Sequence, residues 1–374
     1  MISFKRIIKI IFVFFKIFLI TFFLILIIDF FIGNKILQFI DPLIKETEFY
    51  DKRVKIWNNT FHHTFKKNVN MKSVGIEKNN RFCTNHLGFK SDCNFKEVNN
   101  FKFGFLGDSF TEGIGLNHEN TFVGLFEKKL GTQVANMGVS SYSPKIHLSK
   151  INFFLNKGIS FEHVILFLDI SDYFDEANYQ FNQAELSVEH NKRELKRIWA
   201  RENFPFTNYY FYVLKKIRKS SNIEETKIDT NKEIIFDNSV MIKTSWLNED
   251  VEKYKIKEKT LLNIHNETKY YVDQIYQILK KKDIKFSLAI YPWPQNYLNR
   301  KNNVFYREEW KNFCINRCIN FFDYFEDFDN LIKEEGYDQV YKKYYIYKDI
   351  HFNKFGNILI ADKIIKALIR QNER

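Results

Sequence analysis

The sequence predicts an α/β protein in three layers, a parallel sheet covered by helices on both faces, behind an N-terminal membrane helix. Three observations carry this. Short apolar runs recur at 101–106, 134–138, 163–170 and 284–291, stretches of helical spacing separate them, and one much longer apolar run stands near the N-terminus. Continuous rather than alternating runs belong to strands buried on both faces, and strands separated by helices belong to parallel sheets. At 45% hydrophobic and 27% charged, the 374 residues can bury a core, and only five Pro and 13 Gly exclude a low-complexity chain.

Taken in order, the first element is the anchor. From residue 10 to 28, seventeen positions are Ile, Leu, Phe or Val, interrupted by Lys16 and Thr21. Their insertion is worth about −5 to −10 kcal/mol against about +3 for a central Lys, and Lys16 lies near enough to one end to snorkel. Lys5, Arg6 and Lys9 hold the N-terminus in the cytoplasm by the positive-inside rule, so the remainder is expected outside it, as the periplasmic or extracytoplasmic part of a single-pass protein. A cleaved signal peptide is the rival reading, but residues 29–35 (DFFIGNK) offer no small-residue cleavage pattern. The lipid bilayer is therefore an expected partner through residues 10–32. The organisation that follows is an anchor over 1–34, a juxtamembrane segment over 35–98 and a main domain over 99–374 with an insertion at about 176–260. Of the net charge of +12, four positive residues belong to the anchor, and the rest is too diffuse to argue for nucleic acid.

Four cysteines fit an exported chain: Cys83, Cys93, Cys314 and Cys318. They allow three pairings, among which the sequence does not choose. Cys83 and Cys93 flank a turn-like stretch that a disulfide would close. Cys314 and Cys318 stand at i and i+4, too far apart in a regular helix, so a bridge there needs a distorted helix end. The wide first pair does not suit a four-Cys zinc site, and nothing calls for a metal or cofactor. His62 and His63, beside basic residues, read as a solvated helix surface.

Helices are expected at 121–130, 144–156, 260–279, 304–314 and 355–369, with a last short strand near 319–324. The first part of the stretch 175–283 is polar and irregular, and the insertion is expected to be helical or irregular. Its aromatic run Tyr209, Tyr210, Phe211 and Tyr212 suits either a small core or stacking on sugars.

Directly after the first strand stands Gly107-Asp108-Ser109-Phe110-Thr111-Glu112-Gly113. A serine on a strand-to-helix turn exposes its hydroxyl, and backbone N–H groups there can point at an oxyanion. Before the last helix stands Asp349-Ile350-His351. The carboxylate can accept from imidazole Nδ1–H, which fixes the tautomer whose Nε2 takes the proton of Ser109. Asp108 is expected to shape the turn.

These residues resemble the blocks of the SGNH (GDSL) hydrolase family. The run at 107–113 is similar to its first block, and Asn136-Met137-Gly138-Val139-Ser140 to its second. Asp349, His351, Asn353 and Gly356 are similar to its fifth, with an Asp-x-His spacing like that of membrane-linked members acting on envelope polysaccharides. The resemblance spans about 101–171 and 283–368. It implies a flavodoxin-like sheet of about five strands, Ser109 as nucleophile, His351 as base, Asp349 as its orienter, and an oxyanion hole from the Ser109 and Gly138 N–H groups. It implies an esterase or O-acyltransferase whose substrate is an acyl ester, carbohydrate being the expected class, with possible envelope biosynthesis partners. The third block departs: Ser171 or Asp172 falls where the family carries an oxyanion-donating Asn. Losing one such donor costs about 2.7–4 kcal/mol in the transition state. That departure motivates a non-catalytic binding or assembly protein as a second reading; a metal hydrolase is a third.

Overall fold

The computed structural model describes residues 4–40, 54–72, 80–190, 192–220, 242–298 and 301–372. The chain forms two compact units, Met1–Phe49 with His190–Glu233, and Tyr50–Glu189 with Ile234–Arg374. In chain order, α1 (Phe4–Ile40) is followed by two hairpins, β1 (Lys55–Asn58) with β2 (His62–Phe65) and β3 (Asn70–Lys72) with β4 (Arg81–Cys83). Then come β5 (Asn100–Leu106), α2 (Ser109–Glu112), α3 (Phe122–Leu130), β6 (Val134–Asn136), α4 (Pro144–Asn156), β7 (Ser160–Leu168) and α5 (Asp172–Asn178). A hairpin of β8 (Gln180–Asn182) and β9 (Ser187–Glu189) leads to α6 (Lys192–Asn203) and α7 (Pro205–Ser220). The chain closes with β10 (Lys255–Ile256), β11 (Lys259–Thr260), α8 (Leu261–Lys280), β12 (Lys285–Ile290), α9 (Asn303–Cys314), β13 (Phe321–Asp323), α10 (Tyr324–Glu335), α11 (Tyr337–Tyr344) and α12 (Lys354–Asn372).

The second unit is built on a five-stranded parallel sheet in the order β13-β12-β7-β5-β6. Read from the β6 edge, the sequence order of the strands is 2-1-3-4-5, the flavodoxin-like arrangement. Right-handed crossovers then dictate the layers. The connection from β5 out to β6 puts α3 on one face, where it packs with α12, while the reversed connections β6 to β7 and β7 to β12 put α4 and α8 together on the other. The direction of winding switches between β5 and β7, and sheets of this kind bind ligands at the carboxyl ends of such strands.

Aromatic side chains fill the layer under α3. Phe103 and Phe105 from β5 meet Phe126 at ring-centroid distances of 4.9 and 5.1 Å, and Phe122 meets Phe167 of β7 at 4.7 Å. All five are buried. Thr121 caps α3 by accepting from the Gly124 N–H, and Gly131 ends it in the left-handed region.

One expectation is corrected and one is narrowed. His62 and His63 form no solvated helix: they lie on β2, His62 buried and His63 half-buried. His63 Nε2 is 2.9 Å from the Ser140 carbonyl oxygen, and burial followed by the Lys55 charge lowers its imidazole pKa well below the ordinary value. The pair is packed into the fold rather than displayed as solvated surface. The stretch after residue 175 is likewise more regular than its polar composition suggests, forming α5, the β8–β9 hairpin, α6 and α7; residues 221–241 lie outside the described ones. Disulfides join Cys83 to Cys93 and Cys314 to Cys318. The second forms because α9 ends at Cys314 and the chain turns, with the Cα atoms 4.8 Å apart, closer than a continuing helix allows.

Candidate active site

The turn that carries Ser109 is held by several neighbours. Asp108 caps α2, its Oδ1 accepting the Phe110 N–H at 3.0 Å and the Tyr291 hydroxyl at 2.8 Å. Gly107 is required by crowding, since a Cβ there would lie 2.0 Å from Thr111 Oγ1. Gly138 is required for the same reason: its Cβ would lie 2.5 Å from the Glu112 amide nitrogen, so only glycine lets the loop after β6 approach α2. Asn136 Nδ2 donates to the Thr111 carbonyl at 2.9 Å and ties the same loop down. Glu112, fully buried, accepts from both the backbone N–H and the hydroxyl of Ser140, at 2.8 and 2.6 Å.

The fold brings Ser109 and His351 together across 242 residues. His351 Nε2 lies 2.8 Å from Ser109 Oγ, and His351 Nδ1 lies 2.6 Å from Asp349 Oδ1. The imidazole is placed by the turn before α12. Asp349 Oδ1 also accepts the backbone N–H groups of Ile350 and His351, at 2.6 and 3.1 Å, and Asn353 Oδ1 accepts from Phe355 and Gly356 at the start of α12. Phe110 packs beside the imidazole at a tilt of 45°, with centroids 4.8 Å apart. Burial works against ionising Asp349, yet the hydrogen bond and charge of His351 together with the two backbone donors bring its pKa down to about 2. With Asp349 ionised and accepting from Nδ1–H, Nε2 is left as an acceptor for the Ser109 hydroxyl.

Ser109 Oγ has a second acceptor within reach, Asp108 Oδ2 at 3.2 Å. Burial, then the nearby Asp169 charge, raises the Asp108 carboxyl well above its usual range.

The third-block loop differs from the expectation. Ser171, expected as a weaker oxyanion donor, gives both its N–H and its hydroxyl to Asp169 Oδ1, at 2.7 and 2.8 Å. Asp169 Oδ2 accepts Trp293 Nε1–H at 2.7 Å, and the Asp169 N–H donates to Asp172 Oδ2 at 2.8 Å. The Ser171 hydroxyl is directed at its own loop rather than at Ser109. Asp172 is buried, and burial followed by the charges of Asp169 and Asp108 raises its carboxyl well above the ordinary range. Gly138, the other expected donor, gives its N–H to Asn136 Oδ1 at 3.0 Å. The Ser109 N–H stands in the first turn of α2, where backbone N–H groups have no intrahelical partner.

Sequence reasoning missed the supporting roles of Asp169, Trp293, Tyr291 and Glu112. A buried-type aromatic run (YPWP) directly after a strand was the available signal for Tyr291 and Trp293; Asp108, the partner of Tyr291, was expected at the turn, whereas nothing in the sequence singles out Asp169, the partner of Trp293.

No family model matches this chain, and no curated protein matches it. Among solved structures, it is similar to a member of the lipolytic protein G-D-S-L family from Veillonella parvula DSM 2008, at 10% identity and TM-score 0.40, covering 72% of this chain and 98% of that one. It is similar to TesA at 12% identity and TM-score 0.38, covering 71% and 97%. It is also similar to the psychrotrophic esterase EstA from a Pseudoalteromonas species, at 10% identity and TM-score 0.37, covering 74% and 100%.

Proposed function

We propose that this chain is a serine-dependent enzyme of the SGNH type acting on carboxylic esters. The observation that carries the reading is the continuous chain of hydrogen-bond distances from Ser109 Oγ through His351 to Asp349 Oδ1. Ser109 attacks the ester carbonyl as His351 Nε2 takes its proton, the alcohol departs with that proton, and an acyl group remains on Ser109 Oγ. A second hydroxyl, deprotonated by the same imidazole, then takes the acyl group. Water as acceptor makes the enzyme an esterase; a sugar hydroxyl makes it an O-acyltransferase. The Ser109 N–H supports the oxyanion, and the Gly138 N–H joins it if it turns from Asn136 Oδ1.

Ester-bearing carbohydrate outside the cytoplasm is the substrate class we favour. Its support is the Asp-x-His spacing, which resembles that of envelope polysaccharide enzymes, together with α1, whose segment Ile8–Gly33 has a mean hydropathy of 3.0 and the length to cross a membrane. In this reading α1 is a retained anchor with its N-terminus in the cytoplasm. A fluorophosphonate probe tests the chemistry: wild-type protein is labelled, Ser109→Ala is not, and a folded wild type that resists labelling overturns the proposal. Release of acetate from an O-acetylated polysaccharide, against transfer to an added sugar, separates the two acceptors.

One observation favours the non-catalytic reading: the Ser171 hydroxyl and the Gly138 N–H both already serve protein acceptors. In that case the folded wild type binds acylated carbohydrate without turnover, and His351→Ala leaves binding unchanged.

A further inference from the structure

The unit formed by Met1–Phe49 and His190–Glu233 exposes a surface that the ester chemistry does not use. Residues 192–220 hold nine Lys or Arg against two Glu, a net +7 out of the chain's +12. On α6, Leu195 and Trp199 are exposed and share a face by their i, i+4 spacing, with Lys192 and Lys196 exposed beside them. On α7, Tyr210, Phe211 and Leu214 are exposed on one face. Trp199 and Phe211 leave 59% and 62% of their surface bare, so each helix presents large apolar groups, and α6 carries exposed cations beside its own.

The start of α7 is fixed at one depth along α1. Asp29, 1% exposed, accepts the N–H groups of Phe206 at 2.8 Å and Thr207 at 2.7 Å, and so caps α7. A Cβ on Gly33 would lie 3.2 Å from Pro205 Cγ, and the Phe30 and Phe204 rings are 6.1 Å apart. The contacts fall in the last turn and a half of the apolar segment Ile8–Gly33. In a bilayer spanned by that segment, this is where hydrocarbon gives way to headgroups. Trp and Tyr favour that layer, and Lys and Arg with apolar stems reach phosphate from it.

We infer that α6 and α7 form an interfacial helical hairpin lying in the headgroup layer of the bilayer that α1 spans. Its exposed aromatics reach the acyl-chain boundary and its Lys and Arg side chains bind anionic lipid phosphates. The occupant is lipid because the charge is complementary to an anionic surface, and because the patch belongs to the same compact unit as an apolar helix whose own acidic residue caps α7. Basic amphipathic helices with aromatic residues on their apolar side bind membranes in this way. The inference rests on α1 being a retained anchor.

The test uses the full chain reconstituted in phosphatidylcholine vesicles, with and without phosphatidylglycerol, carrying brominated acyl chains. Bromolipid quenching of tryptophan fluorescence should fall markedly in Trp199→Phe relative to wild type. The Trp199-dependent part should increase with phosphatidylglycerol and shrink in a variant with Lys192, Arg193, Lys196 and Arg197 changed to Glu. Fluorophosphonate labelling of Ser109, retained in both variants, reports that the other unit is folded. Equal bromolipid quenching in wild type and Trp199→Phe overturns the inference, whether Trp199 is then open to aqueous iodide or shielded by a second copy of the chain. Release of the wild-type chain from the vesicles by carbonate instead overturns the anchor reading beneath it.

Discussion

At the scale of single residues, Asp349 and Ser171 make opposite claims. Asp349→Asn keeps the shape of the turn but reverses the hydrogen bond that selects the His351 tautomer, so kcat should fall by about 10³- to 10⁴-fold with KM little changed. Ser171→Ala should lower kcat by less than about tenfold, because its hydroxyl serves Asp169; an oxyanion donor removed at that position would lower kcat by about 10²- to 10³-fold. Steady-state kinetics on an acetyl ester decide both. Because the folded-state pKa of Asp349 is depressed to about 2, its contribution to stability is complete above its ordinary value and is lost only as pH falls through about 2. The acid limb of an activity profile between pH 5 and 8 therefore does not report Asp349. Ser109, His351 and Asp349, the residues of the proposed triad, are legible in the sequence because a serine nucleophile is expected on a strand-to-helix turn and its base beside an acceptor. The Asp169–Trp293 bond joins residues 124 apart, and neither partner alone differs from an ordinary loop acid or core indole.

Elements differ in how plainly they announce themselves. The long apolar runs mark β5, β7 and β12, whose core positions are mostly apolar, with the buried His163 and Ser287 partnering each other across β7 and β12 at 2.8 Å. The boundary of β7 is less visible: it begins at Ser160, three residues before the apolar run, because Ser160 and Glu162 are exposed where the strand leaves the core. The short β1–β2 hairpin is illegible, since His62 and His63 are held there by hydrogen bonds and ring contacts with Tyr142 and Tyr179 rather than by apolar pattern. Helix α5 buries two adjacent acids, Asp175 and Glu176, whose pKa values burial raises to about 6 and about 7. The folded state holds their protons at pH values where the unfolded chain has released them. These two groups therefore favour the folded state at low pH, and that advantage fades as pH rises from about 4 to 7. Glu176→Gln should flatten this part of the pH dependence of the urea midpoint; an unchanged slope would refute the assignment. Removing the Cys83–Cys93 bridge should cost about 3 kcal/mol and the Cys314–Cys318 bridge about 2 kcal/mol by loop entropy, read as shifts in the same midpoint.

For the whole molecule, the sequence distinguishes a long apolar N-terminal helix from an α/β domain but not the partition of the insertion. Helices α6 and α7 belong to one compact unit with α1, although more than 150 residues separate them in the chain. The reason is local chemistry that no periodicity encodes: a single Asp in an apolar helix answering two N–H groups at the start of another. Asp29→Leu should make α1 a more apolar span while loosening α7, so limited proteolysis of the vesicle-bound chain should cut faster within 192–220; unchanged cleavage would dismiss the cap. The same bond sets a timetable for biogenesis. The amide of Phe206 follows Asp29 by 177 residues, which at about 5–20 residues per second is roughly 9–35 s of translation. If α1 is the retained anchor proposed above, Asp29 waits through that interval at the bilayer edge without its partners on α7, and the ribosome must deliver β5, β6 and β7 before this unit can finish assembling.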